Sequence, residues 1–320
     1  LYALSLPNQE KNTVRRYRFI QADVFTNVVF SGNPLAVYYE ADGLSDDEMQ
    51  QIAREMNLSE TTFVFPATVP NADVWVRFFT PSTELPFAGH PTIGTHLILA
   101  HLGVYELSGP VTRVWQQTGV GTLPVDLITD GEGVTNRAVM TQSEARHGEI
   151  YADRERLAQA LGLDAVDIHP DLPAQVFSTG LPGLIIPVIS LDATQRIKLN
   201  IGLFNEICRS MSVTGGEVFT LETIDKAHHV HVRNFDPLVG VYEDPATGSM
   251  AGALGAYLLA HGVFDYDQES STTHMVLEQG YEIGRPSLLE VEIDIRQGNV
   301  AEVRVGGQAV IVLEGELYLE

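Results

Sequence analysis

The sequence predicts an α+β fold of two similar lobes, each a set of mostly antiparallel strands around one buried helix. Three observations carry this. The first is a repeat: Arg77, Phe79 and Pro81 lead to Pro86, Gly89 and a long apolar run ending at Ala100-His101-Leu102-Gly103. Arg233, Phe235 and Pro237 lead to Pro245, Gly248 and a second run ending at Ala260-His261-Gly262. Internal similarity of this kind marks one supersecondary unit used twice. The second observation is that both runs are apolar nearly all round, as in a helix enclosed by other structure. The third is that the strand-like stretches are joined by short links, which favour antiparallel pairing over crossovers.

Bulk properties allow such a fold. A chain of 320 residues is long enough for two sizeable cores. A hydrophobic fraction of 44% and a mean hydropathy of +0.03 fit a globular chain. The formal net charge of −23 argues against nucleic acid or an anionic membrane as partner, since both attract basic patches. An anionic substrate then has to be held by local donors, against the field of the whole chain. The single cysteine, Cys208, cannot close an intramolecular disulfide, so the fold does not need an oxidising compartment. No apolar stretch reaches membrane-spanning length. A soluble, cytoplasmic protein is the expectation.

Residues 1–16 read as a loose N-terminal arm, 17–146 as the first lobe and 147–320 as the second, with the final strands free to cross back to the first. In the first lobe a strand at 18–25 turns through Ser31-Gly32-Asn33-Pro34 into a second at 35–39. Ser45 and Glu48 form a capping box that opens a helix over 46–56, with Met49, Ile52, Ala53 and Met56 on one face. Strands at 60–65 and 74–79 precede the first apolar helix at 91–102, and strands near 111–115, 123–128 and 134–140 follow it. The second lobe repeats the order. Strands at 175–179 and 184–189, a helix at 202–211 and strands at 217–221 and 228–235 lead to the second apolar helix at 249–259. The strand at 228–235 is expected to alternate in exposure. Strands around 276, 288–295, 300–305 and 309–313 close the lobe.

Chemistry is expected where the apolar helices begin. Phe87-Ala88-Gly89-His90-Pro91-Thr92 is a glycine turn running straight into a helix, and Asp244-Pro245-Ala246-Thr247-Gly248-Ser249 is its counterpart. Free N–H groups and the helix dipole make such a start a ready anion site. The same glycines also serve simply for tight turns and close packing, and the motif alone does not separate the two. Glu60 enters an otherwise apolar strand; burial would raise its proton affinity and suit it to proton transfer near neutral pH, whereas an exposed strand end would leave it ordinary. His228, His229 and His231 invite a metal reading. In a strand, however, His229 and His231 share a face while His228 points away, and no adjacent Cys or acidic residue completes a set. Cys208 falls in a predicted helix and reads as a packed thiol. Asn57-Leu58-Ser59 matches a glycosylation sequon by chance. There is no phosphate-binding Walker loop, no dinucleotide fingerprint and no Gly-x-Ser-x-Gly elbow.

Four stretches together resemble the phenazine-biosynthesis PhzF-like isomerase family, within the diaminopimelate-epimerase-like fold. They are Asp23-Val24-Phe25-Thr26 with Gly32-Asn33-Pro34-Leu35-Ala36-Val37, then Asn57-Leu58-Ser59-Glu60-Thr61-Thr62-Phe63-Val64, then Leu85-Pro86-Phe87-Ala88-Gly89-His90-Pro91-Thr92, and finally Asp244-Pro245-Ala246-Thr247-Gly248-Ser249. They occur in the family's order and span the chain from about Tyr17 to its end. The resemblance implies two pseudo-symmetric lobes, each a β-barrel-like sheet around a central helix, with the site between them. It implies an isomerase without cofactor or metal that acts on a small carboxylic acid such as trans-2,3-dihydro-3-hydroxyanthranilate, and a homodimer. The family's acid/base glutamate falls on Glu60, its supporting histidine on His90, its aspartate on Asp244 and its serine on Ser249. Substrate-binding positions fall on Ser59, Gly89, Thr247 and Gly248. Epimerising and racemising relatives place one cysteine in each helix-entry motif. This chain has neither, so a two-thiol racemase is disfavoured: one face of the carbon would lack its acid/base group.

Overall fold

The computed structural model describes residues 14–264 and 270–319. The fold is α+β, with one large sheet and few helices, and it is built from one order of strand pairings that occurs twice. In the first run, Arg15–Val24 pairs antiparallel with Asn33–Tyr38, which runs parallel to Glu60–Pro66. Glu60–Pro66 is antiparallel to Val74–Phe79, which is parallel to Val111–Thr118. Gly121–Thr129 and Thr135–Thr141 then add antiparallel. In the second run, Ala174–Ser178 pairs antiparallel with Pro182–Pro187, which is parallel to Gly216–Thr220. Gly216–Thr220 is antiparallel to Val230–Asp236, which is parallel to Ser270–Gln279. Ser287–Arg296 and Asn299–Gly307 add antiparallel. The two runs join where Asn299–Gly307 pairs with Thr135–Thr141.

The last strand, Ala309–Leu319, returns to the beginning and pairs antiparallel with Arg15–Val24. Arg146–Tyr151 has the matching place beside Ala174–Ser178. The expected arm therefore ends earlier than residue 16. Arg15 and Arg16 already lie in the ladder opposite Leu319 and Tyr318, and the Arg15 guanidinium is held by Glu48 of the capping box. Residues 1–13 of that arm lie outside the described residues.

Each pairing run is associated with one apolar helix. Gly89–His101 packs on Arg15–Val24, Asn33–Tyr38 and Thr135–Thr141, and Gly248–Ala260 packs on Ala174–Ser178, Ser287–Arg296 and Asn299–Gly307. Residues His90 to Ala100 of the first helix are all buried, and so are most of the second. Burial all round stabilises them, at about 1.5–3 kcal/mol per large apolar side chain, and removes any need for an amphipathic stripe. The predicted helix over 46–56 is present as Asp46–Met56, with the Ser45–Glu48 capping box formed in both directions.

One local expectation is corrected. Val230–Asp236 does not alternate in exposure, because its residues are buried as far as Phe235. Its outward face is covered by paired charge rather than by water: Arg233 forks onto Glu243 at 2.8 and 2.7 Å, and His231 lies between Glu278 and Glu282. Three further elements lie where the sequence carries no strong pattern and no element is expected. Arg146–Tyr151 is largely exposed and carries no alternation, and Arg154–Leu161 and Leu191–Arg196 are too short for a clear helical period.

Candidate active site

The two apolar helices differ from the outer ones at their first turn. Asp46–Met56, Arg154–Leu161, Leu191–Arg196 and Ile201–Ser210 are each capped by a side chain, from Ser45, Asp153, Ser190 and Asn200. Gly89–His101 and Gly248–Ala260 begin after Ala88 and Thr247, and neither has a side-chain cap. Their first N–H groups are left for something else. The two starts face each other. A Cβ on Gly89 would stand 3.2 Å from the Ser249 nitrogen, and one on Gly248 would stand 3.2 Å from the Phe25 ring and 3.8 Å from the His90 nitrogen. Glycine at both positions permits this approach.

Glu60 reaches the same junction from the first residue of Glu60–Pro66. Its Oε2 lies 3.1 Å from His90 Nδ1, with side-chain exposures of 16% and 6% for Glu60 and His90. Burial, reinforced by the charges of Asp244 and Asp236, pushes the Glu60 carboxyl up to about 8. Burial also pushes His90 down to about 3, so its ring is neutral. A neutral imidazole has one donor and one acceptor nitrogen. Which of the two nitrogens donates is set by the tautomer, so a neutral His90 can face either protonation state of the nearby Glu60 carboxyl. His90 Nε2 is buried and has no hydrogen-bond partner among the described residues.

Asp244, at the end of Val241–Asp244, comes from the second pairing run. Asn33 Nδ2 donates to its Oδ1 at 2.8 Å, and the Thr247 hydroxyl donates to its Oδ2 at 2.6 Å. Burial pushes Asp244 up to about 7; the Thr247 hydrogen bond opposes this most, the charge of Asp236 adds to it, and the Asn33 bond opposes it. Asn33 also donates to the Ala246 carbonyl at 3.0 Å and accepts from the Ser59 hydroxyl at 2.8 Å. Arg285 holds the turn before Asn33, donating to the carbonyls of Gly32 and Ser31 and to Asp23.

The structure thus brings Glu60, His90, Gly89, Gly248, Ser249 and, through Asn33, Asp244, Thr247 and Ser59 to one junction. Ser59 and Thr247 spend their hydroxyl hydrogens on Asn33 and Asp244, so their expected contact with a ligand is limited to acceptor lone pairs and backbone. Ser249 is half-buried at the second helix start, and its carbonyl accepts from the Thr179 hydroxyl at 3.2 Å. Sequence reasoning missed Asn33 as a site residue, although it sits in the Gly32-Asn33-Pro34 turn. It also missed Glu217, which is fully buried, stands opposite Asn234 in the ladder and has neither carboxyl oxygen in hydrogen-bond geometry with any of the described residues. Burial, then the charges of Asp236 and Asp244, push the Glu217 carboxyl well up, and the nearby Asn234 amide opposes this. Only an acidic residue in an apolar strand (Val218, Phe219) could have signalled it.

The histidine trio is arranged differently from the strand-based expectation. His228 precedes Val230–Asp236, so strand alternation does not apply to it, and both His228 and His231 reach Glu278, at 2.7 and 2.8 Å. Among the described residues no cluster of three or more His, Cys, Asp or Glu side chains is arranged to hold a metal ion. Cys208 is buried in Ile201–Ser210, and burial pushes its thiol up to about 12. Among the described residues no helix is long and apolar enough to cross a membrane.

Comparison with known proteins decides the family. The profile of the family described as phenazine biosynthesis-like protein matches residues 22–315. The chain is 37% identical to an uncharacterized isomerase of Clostridium acetobutylicum, covering 96% of this chain and 99% of that one. It is 34% identical to the trans-2,3-dihydro-3-hydroxyanthranilate isomerase of Pseudomonas chlororaphis, covering 95% and 100%. The crystal structure of a Bacillus anthracis phenazine biosynthesis protein of the PhzF family superposes with a TM-score of 0.86 at 31% identity, over 95% of this chain and 100% of that one. The chain belongs to the PhzF family. It is an isomerase of that family. In this PhzF-family isomerase both helix starts lack cysteine: His90 follows Gly89 and Ser249 follows Gly248.

Proposed function

We propose that this PhzF-family isomerase moves a proton between two carbons of a small unsaturated carboxylic acid without a cofactor, with Glu60 as acid and base. The first substrate to try is trans-2,3-dihydro-3-hydroxyanthranilate, on which a relative at 34% identity acts by name. The observation that carries the reading is the Glu60–His90 contact of 3.1 Å at the meeting point of two uncapped helix starts. The site lies between two pseudo-symmetric halves, 17–146 and 147–320, each a barrel-like sheet around its helix, with Ala309–Leu319 added to the first.

In this reading Ser249 and the free N–H groups at Gly89 and Gly248 hold the substrate carboxylate, against the negative charge of the rest of the protein. Ionised Glu60 takes a proton from carbon next to the unsaturated system. The electron pair of the broken C–H bond moves into that system, and the Glu60 O–H returns the same proton to a distal carbon on the same face. Nothing is oxidised or reduced, and the carboxylate is regenerated. A base with an affinity near neutrality is suited to both halves of the transfer. His90 supports either state of Glu60 by exchanging its tautomer, and Asp244 accepts a hydrogen bond from a donor group of the substrate.

Proton NMR in heavy water with the dihydro-hydroxyanthranilate acid tests this. Substrate-carbon deuterium incorporation or isomerisation in the wild type, lost in Glu60→Gln, is expected. Full turnover by Glu60→Gln would remove Glu60 from the role. Binding of the acid with neither isomerisation nor exchange at any carbon in the wild type would count against proton transfer on that substrate.

A further inference from the structure

We infer that Gln279 is a positioning residue for Asp244: by donating to the Thr247 hydroxyl oxygen it leaves that hydroxyl's only hydrogen to Asp244 Oδ2. The inference rests on the reading of Asp244 as part of the site and adds the device that sets its state.

Gln279 ends Ser270–Gln279 and is 1% exposed. Its Oε1 accepts from the Thr247 N–H at 3.0 Å, and its Nε2 donates to the Asp244 carbonyl at 2.8 Å and to Thr247 Oγ1 at 3.0 Å. The amide orientation is forced, because a backbone N–H can only donate and a backbone carbonyl can only accept, so a flipped amide would set donor against donor and acceptor against acceptor. A hydroxyl has a single hydrogen. With Gln279 Nε2–H on a lone pair of Thr247 Oγ1, that hydrogen goes to Asp244 Oδ2, 2.6 Å away. Asn33 is fixed by the same logic: its Nδ2 faces the Ala246 carbonyl, so the second hydrogen of that nitrogen serves Asp244 Oδ1. Both oxygens of Asp244 are thus supplied with donors, which defines it as an acceptor.

Gln279 is brought there by the residue after it. Gly280 has φ +79°, and a Cβ on it would stand 2.7 Å from the Pro245 carbonyl and 2.3 Å from that of Arg285. Only glycine lets the chain pass so close to the Asp244-Pro245 segment. Without the two donated hydrogen bonds, burial and the charge of Asp236 on Val230–Asp236 would both favour the neutral form of Asp244, while Glu60 on Glu60–Pro66 and buried Glu217 on Gly216–Thr220 are themselves raised by the Asp244 charge.

The test is a carboxyl carbon NMR titration of the full chain labelled at aspartate, with the Asp244 resonance assigned through Asp244→Asn. It needs no substrate. Gln279→Met, of similar shape and without donors, should raise the Asp244 midpoint by about one pH unit, a tenfold change in proton affinity. Thr247→Val should raise it comparably, and adding Gln279→Met to Thr247→Val should add less than it does alone. No rise in Gln279→Met, or the same rise in both backgrounds, overturns the inference. Should Gln279→Met not fold, Gln279→Glu keeps the acceptor for the Thr247 N–H while losing both donors, and the same comparison of backgrounds decides. If the titrations behave as expected while the wild type moves no proton on any tested acid, the proposed reaction fails and the positioning role of Gln279 stands.

Discussion

Two carboxyl groups meet at the junction of the helices, and they are treated in opposite ways. Glu60, from the first pairing run, is offered a single ring nitrogen that can donate or accept. Asp244, from the second, is offered two donors that cannot reverse roles. Both are buried and both are pushed up, Glu60 to about 8 and Asp244 to about 7. Burial raises both and the Asp236 charge adds to both; at Asp244 the hydrogen bonds from Thr247 and Asn33 oppose the rise, whereas at Glu60 the charge of Asp244 reinforces it. Pairs of titratable groups whose surroundings push them apart are how one site divides acid and base tasks.

The sharpest way to break this comparison is to remove each carboxylate in turn. Glu60→Gln should lower kcat/KM by about 10²–10⁴-fold, the usual worth of a general acid or base, measured by initial rates on the isomerised acid. Equal losses in Glu60→Gln and Asp244→Asn, with identical pH profiles for whatever activity remains, would mean that the two are not divided as described.

The pH profile sharpens it next. If ionised Glu60 takes the proton, kcat/KM should rise with pH, pass half its maximum near 8 and level off above it. Asp244 raises the proton affinity of Glu60, so Asp244→Asn should move that acid limb to lower pH. A limb that stays in place would show that the limb belongs to another group.

Stability reports the same burial without any substrate. Glu60 has a folded value of about 8 against an ordinary 4.5. A folded value above the unfolded one gives a contribution that is fully present at low pH and lost as pH rises from about 4.5 to 8. Glu60→Gln should therefore gain on the wild type across that window, by at most about 1.4 kcal/mol per pH unit, and the two should converge below it. Urea unfolding at pH 5 and pH 8 measures the difference; a constant offset between the two pH values would contradict the burial of Glu60.

The smallest expected effect is at the contact between the helix starts. The added methyl of Gly89→Ala would lie 3.2 Å from the Ser249 nitrogen, a distance the backbone relieves by shifting a few tenths of an ångström. KM should rise more than kcat falls, because the free N–H groups serve binding. An unchanged KM would argue that the junction does not hold the carboxylate.

Much of the frame was readable from local pattern. The apolar runs at 91–102 and 249–259 appear as Gly89–His101 and Gly248–Ala260, since a stretch without a polar face has no other way to avoid water. The capping box at Ser45 and Glu48 involves partners only three residues apart, and it formed as read. The repeat of Arg77 and Arg233 even extends to their partners, for Arg77 forks onto Glu84 as Arg233 forks onto Glu243. His228–Glu278 and His231–Glu278 were not readable, because the acid lies about 50 residues away on another strand.

The sequence by itself determined the two buried helices, their glycine entries, the places of most strands along the chain and the residues that resemble the family's site. Each depends on neighbours in the chain or on a motif that can be matched directly. Only the tertiary structure decided that Asn33 and Asp244, 211 residues apart, share a hydrogen bond, that Gln279 donates to the Thr247 hydroxyl, and that Glu217 is fully enclosed. Proton affinity is set by desolvation and by donors brought in from distant strands, and no residue type carries that information until the chain is folded around it.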